Sequence, residues 1–207
     1  MTSRNFSHKS AATALFFLLA GGCGDLSEEL PKNQTPLGQH GRITNTQESG
    51  GAIATQVNAT DAMAWVYFQF ATGTEVTPQA PQNSTDWDLA VQRFQIKING
   101  GMSGSAGAEA TVVEGVTFDG MTQAPQASYI TDQPDSADDD PDPDYAFAKL
   151  GPWYTYNVMT HLLTPKDQVY VLRSATGTYY KMQMTAYYDK AGSSGYPTFR
   201  WKAVTAP

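Results

Sequence analysis

The chain has 207 residues, 20 acidic against 13 basic side chains, a net charge of −7 and a single cysteine. That balance excludes a nucleic-acid partner, because affinity for phosphate backbones is carried by Lys and Arg that displace counterions. One thiol excludes an internal disulfide, and the length suits one domain with accessory segments.

Residues 1–23 read as an export leader. Arg4 and Lys9 form a positive start, residues 11–20 a short apolar run, and Ala20-Gly21-Gly22-Cys23 a small-residue cleavage site ending in cysteine. The apolar run is too short for a permanent transmembrane helix. The site resembles a bacterial lipobox, in which the thiol of Cys23 becomes lipidated and the new N-terminus. Gly24, in place of Asp, favours delivery to the outer membrane, on a face that the sequence does not specify. The leader removes Arg4 and Lys9, leaving 11 basic and 20 acidic residues and a net charge of −9.

Residues 24–60 are rich in Gln, Asn, Thr, Gly and Pro without sustained apolar period, the composition of a flexible tether. Its last third is expected to add at most an edge strand at 53–57. The folded domain, 61–207, is expected to open with a central strand at 63–70. A loop at 77–84 leads to Trp87 and Asp88, and Phe94, Ile96 and Ile98 then alternate with Gln95 and Lys97 as in a half-buried strand. Leu89 and Val91 sit on the other parity, so a bulge near Gln92 and Arg93 is expected. Asn99-Gly100-Gly101 reads as a tight turn. Strands are expected at 111–116 and 128–131.

An acidic loop at 132–144 holds seven aspartates and three prolines. Like charges at that density read as a solvated, mobile loop. Calcium is not expected there, since the turn glycine and terminal glutamate of an EF-hand are missing. Beyond it, 169–173 and 179–188 form a hairpin with Tyr180, Met182, Met184 and Ala186 inward and Lys181, Gln183 and Thr185 outward. A last strand at 198–204 turns Phe199, Trp201 and Ala203 inward. Six or seven strands with short turns and no long helix define an all-β, antiparallel-rich single domain, a sandwich or open barrel.

Catalytic chemistry finds little support. No G-x-S-x-G elbow marks a nucleophile, the glycines after Asn99 lack the Lys and helix of a phosphate loop, and Asp86 and Asp88 read as solvated or capping groups. No enzyme activity is expected. His161 stands apart, because Trp153, Tyr154, Tyr156 and Met159 surround it in a stretch with no clear strand period. Such side chains could line a flat apolar pocket such as a haem cleft, where iron accepts His, Met or Tyr ligands. A two-histidine site would have to recruit His40.

Trp87-Asp88-Leu89-Ala90, Arg93-Phe94 and Asn99-Gly100-Gly101, followed by Val169-Tyr170-Val171-Leu172-Arg173, Gly177, Tyr180-Lys181-Met182-Gln183 and Tyr187-Tyr188, resemble the core of the HmuY family of envelope haem-binding lipoproteins. The resemblance implies an HmuY-like fold and a role in iron acquisition. Haem would be captured between two extended fingers and handed to a TonB-dependent outer-membrane receptor. His161 is then the expected ligand to haem iron, with Met121 as its first-choice partner. Trp153, Tyr154, Tyr156 and Met159 would line the pocket. The alternative is a surface lipoprotein of the same fold that binds a protein or glycan and no haem.

Overall fold

The computed structural model describes residues 35–136 and 143–207. Cys23 and the expected leader lie outside these residues, as do residues 137–142 of the acidic stretch. Thirteen strands are present among the described residues: β1 (Gly38–His40), β2 (Ile43–Gln47), β3 (Ile53–Val57), β4 (Val66–Gln69), β5 (Thr74–Val76), β6 (Leu89–Gln92), β7 (Gln95–Ile98), β8 (Glu109–Val113), β9 (Tyr154–Asn157), β10 (Leu162–Pro165), β11 (Val169–Arg173), β12 (Tyr179–Tyr188) and β13 (Ser194–Val204). One short helix, α1 (Ala146–Lys149), precedes β9.

The strands form a seven-stranded sheet in the order β1-β2-β3-β13-β12-β11-β8, a four-stranded sheet β5-β4-β6-β7 and a separate hairpin of β9 and β10. Every strand pairing is antiparallel. The larger sheets face one another as an open sandwich, because alternate residues of each carry large apolar groups into one interior. Phe70 stacks on Tyr180 at 4.7 Å, and Phe68 meets Phe199 edge-on at 5.5 Å. Burying each such ring is worth roughly 2–3 kcal/mol.

The opposite face of the seven-stranded sheet is also covered. Val169 and Val171 alternate with the inward Tyr170 and Leu172 of β11, and they pack with Ala52, Phe118, Met121 and Ala124 in a second apolar cluster. Residues 117–124 lie over this face, tied down where the Ala124 N–H donates to the Thr205 carbonyl at 2.9 Å. Lys181 and Gln183, expected to face solvent, are therefore each 5% exposed. Ala203, expected inside, is exposed.

Several other expectations need correction. The expected tether overlaps β1, β2 and β3, and β3 is an interior strand between β2 and β13. Few apolar residues advertise it, since a buried polar chain substitutes: Trp201 Nε1 donates to Thr55 Oγ1, Thr55 to Asn45 Oδ1, and Asn45 Nδ2 to the Gly73 carbonyl. No bulge lies at Gln92 and Arg93. Gln92 pairs with Gln95, so Arg93 and Phe94 form a two-residue hairpin turn, with Arg93 at φ 53°. This resolves the parity conflict by reversing the chain, and it leaves Phe94 at the turn, 41% exposed, rather than inward with Ile96 and Ile98. Met63 is 90% exposed ahead of β4, and residues 128–131 contribute only an isolated bridge between Ile130 and Ala110.

The acidic stretch is not a uniformly solvated loop. Asp132, wholly buried, accepts the Ile98 N–H at 2.9 Å and the Ala146 N–H at 2.8 Å. Burial pushes its carboxyl up to about 6, against the opposing pull of those hydrogen bonds, Ser103 and Lys97. Gln133 bridges Asp144, closing the base of the stretch. Asp88, read as a solvated or capping group, is 2% exposed and accepts the N–H groups of Phe70 and Ala175 at 2.8 and 2.9 Å.

Candidate functional site

The β9–β10 hairpin is a finger beside the sandwich. Its register pairs Tyr154 with Pro165 and Asn157 with Leu162. Asn157 sets the turn: its Oδ1 accepts the N–H groups of Met159 and Thr160 at 2.9 and 3.1 Å, and its carbonyl accepts the His161 N–H at 2.8 Å. This four-residue turn closes with a residue in the left-handed region, and that residue is His161 at φ 57°. A side chain there costs about 1–2 kcal/mol relative to ordinary backbone.

The root of the finger is fixed in the main core. Trp153 is 3% exposed and donates its indole N–H to the Phe94 carbonyl at 2.9 Å, while the Leu163 N–H donates to the Tyr188 hydroxyl at 3.0 Å. Tyr154 packs edge-on against Phe94 at 5.7 Å and Trp153 at 5.0 Å. The tip differs sharply. Tyr156, Val158, Met159 and Leu162 are 46%, 69%, 86% and 48% exposed. Apolar side chains gathered on one projecting element mark a surface that expects a ligand or partner.

At that tip the Tyr156 hydroxyl hydrogen-bonds His161 Nδ1, while His161 Nε2 has no partner among the described residues. A hydrogen bond at one ring nitrogen orients an imidazole and, in the tautomer with Nδ1–H donating, leaves the Nε2 lone pair for a metal. Beside the finger root lies a cleft of about 330 Å³ whose walls include Phe94, Ile96, Pro143, Tyr145, Trp153 and Tyr154. It runs between the finger and the closed base of the acidic stretch.

The structure thus brings His161, Tyr156 and Met159 together at the tip and Tyr154 and Trp153 at the root. It does not bring Met121 to His161. Met121 is 7% exposed within the cluster on the far face of the seven-stranded sheet, its carbonyl held by Lys181 Nζ at 2.7 Å. His40 is on edge strand β1, its ring bonded to the Leu37 carbonyl. Phe94, Ile96 and Tyr145 were not foreseen as cleft walls, though an aromatic at a hairpin turn is itself a signal. Among the described residues no three His, Cys, Asp or Glu side chains converge as a metal site of their own. A single open imidazole among exposed apolar groups instead fits a metal that arrives within a flat organic ring. Four of the seven aspartates of the acidic stretch, where calcium is not expected, lie outside the described residues.

The sandwich thus holds out a finger whose exposed apolar tip carries one oriented imidazole. The profile of the HmuY protein family matches residues 61–201, and the chain belongs to that family. Its members are haem-binding carriers, so the chain is not an enzyme. Solved structures share the fold. The apo HmuY analogue of Tannerella forsythia superposes with a TM-score of 0.56 at 17% identity, covering 78% of this chain and 96% of that one. A candidate HmuY-like haem-binding protein of Bacteroides vulgatus gives 0.54 at 21% identity, with 80% and 97% covered. A candidate lipoprotein of Bacteroides fragilis gives 0.54 at 20%, with 76% and 91% covered. No curated protein sequence matches the chain.

Proposed function

We propose that the protein is a haem-capturing lipoprotein of the outer membrane, anchored through Cys23, that takes haem on the β9–β10 finger and passes it to an outer-membrane receptor in iron acquisition. The observation that carries this reading is His161, whose Nε2 is left open in a tip of exposed apolar side chains. In it, His161 Nε2 would hold the haem iron, Tyr156 would orient the imidazole, and Val158, Met159 and Leu162 would cover porphyrin surface. Tyr154 and the cleft wall bound the other side. When bound, haem would supply an iron centre that accepts an imidazole nitrogen. Met121 has no part in this reading, because it is buried on the far side of the sheet.

Titrating haem into the mature chain should give a saturable Soret band. His161→Ala should weaken binding by at least about 100-fold and Tyr156→Phe by roughly 10-fold, as for a residue that orients a metal ligand. No Soret change with the wild type, or equal binding by His161→Ala, would overturn the assignment.

A further inference from the structure

The far face of the seven-stranded sheet holds a second cavity, of about 350 Å³, whose walls include Gly50, Phe118, Met121, Lys181, Lys202 and Val204. Lys181 on β12 and Lys202 on β13 are direct cross-strand partners. Like charges in that position repel one another, and antiparallel sheets normally avoid them. The repulsion is sharpened by burial, since Lys181 is only 5% exposed. Its ammonium donates to the Phe118 and Met121 carbonyls at 2.6 and 2.7 Å, and the Lys202 ammonium donates to the Gly50 carbonyl at 2.6 Å. All three acceptors belong to cavity-lining residues, so both ammonium groups stand at the cavity. Of three donors on each amine, two remain on Lys202 and one on Lys181.

Arg200 adds a third positive charge, stacked on the Phe118 ring at 4.3 Å, with Lys181 over the same ring at 4.4 Å. One carboxylate, Asp119, is also on the cavity wall, 3.8 Å from Arg200 and with its side chain 81% exposed. Burial and the Lys202 and Arg200 charges hold the Lys181 ammonium below the usual lysine range, with Asp119 opposing. In a chain of net charge −7, this is a local excess of cations, half sunk into an apolar cluster.

We infer that this cavity is a binding site for a small organic carboxylate, whose anionic head would bridge Lys181 and Lys202 while its apolar body lies against Ala52, Phe118, Met121 and Val204. An anion between the two amines removes the cross-strand repulsion and satisfies the remaining donors. The apolar wall selects a ligand with a hydrocarbon body over a bare inorganic ion. The site is on the opposite face of the sheet from the finger root, so it is independent of the haem reading.

The test is thermal unfolding of the mature chain in sodium hexanoate, with sodium chloride and sodium phosphate at matched ionic strength, alongside amide chemical-shift mapping. Hexanoate near saturation should raise Tm by about 5 °C over chloride, as a ligand of the native state does. Shifts should centre on Gly50, Phe118, Lys181 and Lys202. Lys202→Glu should raise Tm in chloride, by pairing with Lys181, and abolish the hexanoate response. Lys202→Met should lose the response with the fold intact. The inference is overturned if chloride or phosphate matches hexanoate, if shifts fall on residues 154–165 instead, or if Lys202→Glu responds as the wild type does.

Discussion

Two single residues carry conformations or charges that cost the fold something. His161 occupies a left-handed turn position that glycine or asparagine fills more easily, and the proposed role as a haem ligand would account for a histidine there. His161→Gly should keep the melting temperature or raise it by a few degrees while removing haem affinity; a large loss of stability would mean that the imidazole is structural. Asp132 is the opposite case, a group that the fold needs. Its native carboxyl, raised to about 6, keeps its proton to higher pH than the unfolded chain's does near the ordinary value. Its contribution to stability is therefore full below about pH 4 and lost as pH rises through about 6, by roughly 3 kcal/mol. Urea unfolding of wild type and Asp132→Asn from pH 4 to 7 should show the wild-type advantage shrinking by that order across the window. A constant difference would contradict the raised value. Asp132 was not legible as a core residue because it begins a run of aspartates whose other members dominate the local composition, and only long-range hydrogen bonds to Ile98 and Ala146 distinguish it.

Among the elements, hairpins and turns show what short-range patterning can and cannot reveal. The alternation of Tyr180, Met182 and Met184 and of Phe199 and Trp201 identified β12 and β13, because long strands with one core face keep a clean period. The finger did not announce itself that way. Its strands are four residues each, its apolar groups face outward, and its turn is set by Asn157 rather than by glycine. What the sequence did offer was a cluster of aromatics and Met around one histidine without strand period, which proved to be one hairpin. Asn99-Gly100-Gly101 was legible as the turn that ends β7, with Gly101 at φ 63°, but Gly100 has a further role there. A Cβ on Gly100 would stand 1.9 Å from the Ala108 carbonyl oxygen, so the glycine permits a close backbone approach. Buried Asn99 meanwhile donates to the Ser84 and Trp87 carbonyls, each at 2.8 Å. Gly100→Ala should cost about 3 kcal/mol, read as a lower urea midpoint, with haem affinity per folded molecule unchanged. A neutral result would mean that this junction yields freely.

For the molecule as a whole, the sandwich depends on strands that lie outside the residues matched by the family profile. β3 pairs with β13 through Thr198 to Trp201, and Thr55 satisfies the Trp201 indole at 2.9 Å. A chain starting at residue 61 should therefore lose cooperative melting, since it would open the edge of β13 and leave Trp201 unpartnered; a fragment melting like the intact mature chain would contradict this. These strands were hidden in the sequence because their buried groups are polar and their partner lies some 140 residues away. The all-β class and the closing hairpin were legible. The two faces of the large sheet, which separate His161 from Met121, emerge only from the three-dimensional pairing. Amide chemical-shift mapping with a diamagnetic metalloporphyrin tests whether the finger holds the porphyrin. Haem capture on the finger should give saturable shifts across residues 154–165, Phe94 and Tyr145, with residues 117–124 on the far face unmoved. Shifts centred on that far face, or none on the finger, would contradict it.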